Sequence, residues 1–281
     1  MDFAKIYDNI KPKQLYLDNY VREYWFAPQD VLLRSIEANI ISAITFKHPI
    51  LDIGIGDGGI SRFLFSKKLR IDVGIDIDEQ GLQKARETRI YKKVLQADAQ
   101  KMPFKDACFN TVVSNSTFEH IEDDLKAVRE VSRVLRKNGL FFMTVPNPFL
   151  EKTVLSIEGN SKKAKLALNK FNTRLQHFHY RSLMEWEKIF KKKNMRVIYY
   201  KYYYPEEITK VWYGLMKFSI RKIRNREVWS YIAHSKFNRI IPKQLVVNVL
   251  KNMILKKPYF LGLPPKADKG SMLFLIAQKS A

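Results

Sequence analysis

The chain has 281 residues, 46% of them hydrophobic and 28% charged, with a formal net charge of +22; this suits one large domain, or a domain with a sizeable insertion, around a buried core. Its single cysteine, Cys108, excludes an internal disulfide and a Cys-rich zinc site, and no run of about 18 apolar residues supports a membrane-spanning helix. The charge is lopsided: residues 1–150 hold 22 Lys and Arg against 20 Asp and Glu, and residues 151–281 hold 28 against 8, which predicts either a polyanionic neighbour for the second half or a solvated lysine-rich surface.

The opening MDFAKIYDNIKPKQ has no apolar h-region, so no signal peptide and a cytoplasmic setting are expected. Residues 12–46 carry apolar positions at helical spacing, predicting two helices broken near Pro28. The period then changes. PILDIGIG (49–56) is a short apolar run ending in glycines, as a buried parallel strand requires. Helical segments at 58–68, 79–90 and 122–136 alternate with strand-like 70–77, 93–97, 110–115 and 140–145. Such alternation with short connections predicts a doubly wound parallel sheet. Residues 147–181 read as a polar, basic connection, 183–194 as an amphipathic helix and 195–204 as a strand. Residues 205–269 interrupt the alternation with basic, aromatic helical sequence, and 271–279 reads as a last strand. The expected organisation is a domain over 1–204 with an N-terminal helical cap, an insertion over 205–269, and the domain's last strand in 270–281.

The loop Asp52-Ile-Gly54-Ile-Gly56-Asp-Gly58-Gly59 fits two patterns. Gly54, Gly56 and Gly59 make the dinucleotide fingerprint G-x-G-x-x-G. Asp52, Gly54, Gly56 and Gly58 make D-x-G-x-G-x-G, which resembles motif I of class I methyltransferases. A carboxylate near the loop disfavours a pyrophosphate but favours the ammonium and sulfonium of S-adenosylmethionine. Asp76 follows at the second strand end, Asp98 after the third in QADAQKMPF, and FNTVVSNSTFEHIEDDLKAVREVSRVLRKNGLFFMTVPNP covers 109–148. In this order the segments resemble the class I S-adenosylmethionine-dependent methyltransferase superfamily, of the methyltransferase type 11-like kind, over about residues 30–204.

The resemblance implies a Rossmann-like seven-stranded α/β sheet with its last strand antiparallel, supplied here by SMLFLIAQK, and S-adenosyl-L-methionine as cofactor. It places Gly54, Gly56 and Gly58 on the methionine and ribose, with Asp52 near the ammonium. Asp76 falls on the ribose, Ile77 beside the adenine, Asp98 and the Ala99 backbone on the adenine edge, and Asn115 facing the methyl group. Related quinone-pathway and small-RNA 2′-O-methyltransferases bind a divalent metal through E-x-x-E-H. This chain keeps Glu119 and His120 but has Ser116 in place of the first Glu, so no metal is expected, and the pair caps the following helix or orients the loop. RLQHFHY, with His177 and His179, resembles a segment of a bacterial and archaeal branch that falls over the cofactor methyl. His177, His179 and His120 are therefore the candidates for a general base or acceptor clamp, a structural role being the alternative.

In 206–225, Ile208, Val211, Trp212, Leu215, Met216, Ile220 and Ile223 recur at helical spacing, with Lys210, Lys217, Arg221 and Arg224 on another face. Such a helix suits an anionic membrane surface, and the more apolar 244–257 suits headgroups or a lid. The expected function is O-methylation of a small-molecule, lipid-linked or glycan acceptor, with the protein peripheral at the inner membrane face. RNA is the alternative partner, because basic charge with interleaved aromatics also fits phosphates and bases; a cofactor-binding protein without catalysis is the third.

Overall fold

The computed structural model describes residues 2–43, 45–65, 69–159, 161–223, 225–228, 230, 242–264 and 267–280. Helices α1 (Phe3–Tyr7), α2 (Gln14–Tyr24) and α3 (Pro28–Ile41) precede the first strand. Pro28 opens α3 at its first position, where the missing N–H costs nothing, so the expected break falls there. Strands β1 (Ile50–Ile53), β2 (Ile71–Asp76), β3 (Tyr91–Gln96), β4 (Phe109–Asn115) and β5 (Leu135–Pro146) then alternate with α4 (Ser61–Leu64), α5 (Glu79–Glu87) and α6 (Asp124–Val134). Of the helix expected over 58–68, Ser61–Leu64 is helical, and residues 66–68 lie outside the described residues.

The connection expected over 147–181 is instead two helices, α7 (Pro148–Glu158) and α8 (Lys162–Leu175). Asn147 caps the Phe149 amide, Gly159 ends α7 at φ 89°, and the Ser161 side chain caps Ala164. Each device closes an end that would otherwise leave backbone groups unpaired. Helix α9 (Leu183–Lys191), opened by a Ser182–Glu185 capping box, leads into β6 (Met195–Tyr203). Helix α10 (Glu206–Ser219), a small hairpin β7 (Lys222–Ile223) and β8 (Arg226–Glu227), and the helical run Lys243–Val249, Leu250–Leu255, Lys256–Leu261 precede β9 (Met272–Lys279).

Seven strands form one sheet in the order β3-β2-β1-β4-β5-β9-β6. Pairs from β3 to β5 are parallel, and β9 is antiparallel to both β5 and β6. The chain therefore reverses its winding between β1 and β4, leaving a crevice above the carboxyl ends of the strands, where ligands of open α/β sheets bind. One sheet face is covered by α1–α3, α10 and the run at 243–261, the other by α6 and α9.

The insertion is only partly what its pattern predicts. Helix α10 buries Ile208, Trp212, Tyr213 and Met216 in the main core, and its Lys210 and Lys217 pair with Glu206 and Glu158. Its apolar face is thus packing surface, and Trp212 is no interfacial anchor. Arg224 lies outside the described residues. No described helix is long and apolar enough to cross a membrane.

Candidate functional site

The glycine loop leaves β1 and turns over the crevice. Gly54 sits at φ +80°, where a Cβ would lie 2.1 Å from Thr117 Oγ1, so both its conformation and its close approach require glycine. Gly56, at φ +52°, faces open space, with nothing within 4 Å of the position of a Cβ. A ligand can therefore lie against its bare backbone.

Asp76 ends β2. One carboxylate oxygen accepts from the Gly56 amide at 2.7 Å and the other from Asp78 N at 2.9 Å, which fixes the side chain at the loop. Ile77 follows with its side chain 66% exposed, an apolar face left open beside a carboxylate. Asp98 ends the β3 connection in a local turn, accepting from the Gln100 amide at 2.8 Å. A cavity of about 450 Å³ joins these groups. It is walled by Gly54, Gly56, Asp76, Ile77, Asp98 and Ala99, and closed on the far side by Thr117, His120, Ile121 and Phe178. A larger cavity of about 650 Å³, around Phe46, Asn110 and Gly139, holds none of the candidate cofactor-binding or catalytic residues.

Five expected residues do not line the smaller cavity: Asp52, Gly58, Asn115, His177 and His179. Asp52 is buried beneath the loop, accepting from Tyr91 OH at 2.7 Å and Ser61 Oγ at 3.4 Å. Burial pushes its carboxyl up to about 7, against the lowering pull of those two donors. It supports the loop from within and is not part of the cavity wall. Gly58 packs its backbone against Ala85 of α5 and Thr88 at its C-cap. Asn115 donates to Glu37 Oε2 at 2.9 Å and accepts from Thr144 at 2.9 Å, so its amide is spent on the framework. His179 donates from Nε2 to the Glu122 carbonyl at 2.8 Å, beside the Arg181–Asp124 ion pair, and stands outside the wall.

His120 and His177 are brought together, their ring centroids 4.9 Å apart. Nδ1 of His120 lies 3.2 Å from the Gln176 carbonyl, which can only accept, so Nδ1 carries the proton. Tyr180 gives its hydroxyl proton to Asn172 Oδ1 at 2.8 Å, so it accepts from His177 Nδ1 at 2.8 Å. Both rings therefore present a bare Nε2. Burial lowers the affinity of both for protons, His177 to about 3, with His120 and Arg34 adding to the effect. Glu119 is buried in the short turn Phe118–His120; the cap of α6 is Asp123.

Arg34-Ser-Ile-Glu37 also resembles the N-terminal sequence of the bacterial and archaeal branch, but that resemblance implies no role for Glu37 and Arg34, on the inner face of α3. Glu37 is wholly buried, paired with Arg34 at 2.8 Å, and accepts from Ser116 Oγ at 2.6 Å and Tyr203 OH at 3.3 Å. Two charged residues inside an apolar helical stripe, Arg34-Ser-Ile-Glu37, are the signal that could have found them.

The residues fit S-adenosylmethionine. A carboxylate held at the second strand end suits ribose hydroxyls, an open isoleucine face suits adenine, and the bare Gly56 backbone admits close approach. A family model described as a methyltransferase domain matches residues 51–143. An uncharacterized protein of Methanocaldococcus jannaschii is 31% identical over 158 residues, covering 55% of this chain and 61% of the relative. A Mycobacterium tuberculosis protein named "Probable S-adenosylmethionine-dependent methyltransferase" is 28% identical over 127 residues, covering 45% of this chain and 44% of its own length. The chain thus spans about half the length of the curated relatives it matches. A solved Thermotoga maritima structure, described as a methyltransferase and possible histamine N-methyltransferase, shares the fold at TM-score 0.53 and 16% identity, over 95% of this chain and all of the other. The loop, the strand-end carboxylates, the strand order and the matched domain agree: residues 51–143 are similar to the methyltransferase domain, the fold is the Rossmann-like fold of class I methyltransferases, and S-adenosylmethionine is the cofactor that the site fits.

Proposed function

We propose that the protein methylates an oxygen of a small-molecule, lipid-linked or glycan acceptor presented at an anionic membrane surface on the cytoplasmic side. The observation that carries the transfer is the continuity of the 450 Å³ cavity from Asp76, Ile77 and Asp98 to His120 and Phe178. When bound, S-adenosylmethionine supplies an electrophilic methyl group on a sulfonium. Methyl passing from sulfur to the acceptor oxygen would leave S-adenosylhomocysteine, with the hydroxyl proton released to solvent. Asp76 would hold the ribose, Asp98 and the Ala99 backbone the adenine edge. Phe178, Ile121 and His120 close the opposite wall, where the acceptor would be positioned and water excluded. Positioning of this kind can replace effective molarities of about 10⁵ M or more.

The membrane half of the proposal moves from α10 to the run at 243–261. A surface helix ordinarily has one apolar face. This run has two: Val247, Leu255 and Tyr259 face the core, while Leu245, Val249, Met253, Ile254, Phe260 and Leu261 are 38–80% exposed. Residues 228–267 hold seven Lys and Arg and no Asp or Glu. An apolar stripe flanked by exposed Lys243, Lys256 and Lys257 complements an anionic lipid surface.

Two measurements test the two halves. Titration calorimetry should show S-adenosylmethionine binding, and labelled methyl should pass from it into a lipid extract in preference to an RNA extract. Sedimentation with phosphatidylglycerol vesicles should show binding that falls with salt and is lost in a Val249→Glu, Met253→Glu double variant, with cofactor affinity unchanged. Label entering only RNA, or RNA stripping the protein from vesicles, would hand the basic surface to nucleic acid. Cofactor binding without transfer to any fraction would leave a non-catalytic binder.

A further inference from the structure

Three side chains converge beside the cofactor cavity without a partner that explains them. One ligand-type atom from each of Glu119, His120 and His177 lies within 4.8 Å of the other two. Glu119 Oε2 is buried with no hydrogen-bond partner among the described residues. A buried acceptor left empty costs about 1–3 kcal/mol, so this corner of the fold is incomplete as it stands. The two imidazoles cannot complete it as neighbours of one another. Their Nδ1 protons are committed to the Gln176 carbonyl and the Tyr180 hydroxyl, so each offers Nε2 only as a lone pair. Two imidazoles and a carboxyl whose ligand atoms lie within 4.8 Å of one another are a coordination set.

We propose that Glu119, His120 and His177 bind one divalent transition-metal ion at the acceptor end of the cavity. Ser116 takes no part, because its hydroxyl is donated to Glu37. The third ligand comes instead from the end of α8, brought in by the His177 amide bond to the Asn172 carbonyl and the Phe178 amide bond to the Glu119 carbonyl. The outer contacts are those of metal-bound histidines, whose second nitrogen is oriented by a carbonyl or hydroxyl. Two imidazoles and one carboxylate suit Zn²⁺ or Mn²⁺, with positions left open for water or an acceptor oxygen. Because His120 also lines the cavity wall, those open positions face the place proposed for the acceptor. There the ion would make a ligated hydroxyl more acidic and fix its direction.

The test uses the whole chain, stripped with chelator and dialysed against Mn²⁺ or Zn²⁺ in separate experiments without cofactor or acceptor. Its outcome is therefore independent of whether methyl transfer is observed. Metal counted by mass spectrometry should approach one ion per chain. It should be lost in His120→Ala and His177→Ala, with the circular dichroism spectrum retained. Tyr180→Phe is the positioning test: it removes the acceptor of His177 Nδ1, together with the hydroxyl's own bond to Asn172, and should weaken metal binding by about 10–100-fold. His179→Ala and His48→Ala, outside the triad, should leave binding intact. No stoichiometric metal, or metal retained by the triad variants, or a wild-type affinity in Tyr180→Phe with the triad variants also unaffected, overturns the assignment.

Discussion

Replacing Asp52 by Asn should stabilise the protein in alkaline solution and leave it nearly unchanged in acid. The Asp52 carboxyl, at 3.8 in its ordinary setting, is pushed to about 7 by burial under the glycine loop, despite the Tyr91 and Ser61 donors. Each pH unit between the two values corresponds to about 1.4 kcal/mol, so the folded carboxylate carries a penalty of about 4 kcal/mol. Between pH 4 and 7 the folded chain keeps a proton that the unfolded chain has lost, so stability falls as pH rises through that window and is flat above it. An asparagine never ionises and escapes the penalty, but its added N–H₂ lacks an acceptor, at a cost of about 1–2 kcal/mol. The expected gain is about 2–3 kcal/mol at pH 8, read as a Tm rise of about 4–10 °C. At pH 4 the gain should vanish or reverse slightly. Thermal melts of both proteins at pH 4, 6 and 8 decide it. An equal effect at all three values would mean that Asp52 does not titrate in this window, and the burial argument would be wrong.

Three further outcomes follow from the site and the core. Asp76→Ala should weaken S-adenosylmethionine binding by about 1.5–3 kcal/mol in calorimetry, the worth of hydrogen bonds to a charged group, with Tm little changed. Gly54→Ala should abolish cofactor binding, and the added Thr117→Ala should not fully restore it. Removing the clash leaves the left-handed backbone, which costs an alanine about 1–2 kcal/mol. Trp212→Ala should destabilise the fold by about 3–5 kcal/mol as a core truncation, with vesicle binding per folded molecule unaltered; a selective loss of vesicle binding would restore α10 as the lipid-facing helix.

The parts of the molecule legible from sequence are those where one local pattern had one structural outcome. PILDIGIG could hardly be anything but a buried strand running into a tight loop, and Asp76 and Asp98 sit at strand ends because the sheet register puts them there. Helices α7 and α8 were missed although Asn147-Pro148, Gly159 and Ser161 punctuate them, since a lysine-rich surface pattern hid their modest apolar stripes. For α10 the periodicity was read correctly and its direction was not: a basic amphipathic helix gives the same pattern whether its apolar side meets lipid or a protein core. Asp52 illustrates a different limit. Spacing tells which residue stands at the strand end but not on which side of the loop its side chain emerges. The meeting of Glu119, His120 and His177 depends on where α8 ends in space, and that is written in no local window.

The long excursion between β6 and β9 has a thermodynamic consequence for how this chain can change. Tyr203 and Met272 are paired across adjacent strands, so everything between them leaves and re-enters the sheet at one point. The cost of closing such a loop grows only with the logarithm of its length, by about 0.6 kcal/mol per doubling. Lengthening, trimming or replacing it would therefore place little strain on strand pairing. What restrains it is the apolar surface that α10 and the run at 243–261 bury against α3 and the sheet. A replacement segment that preserves this inner face is free to rewrite the outer one, so the chain can acquire a different docking partner while its cofactor machinery stays untouched.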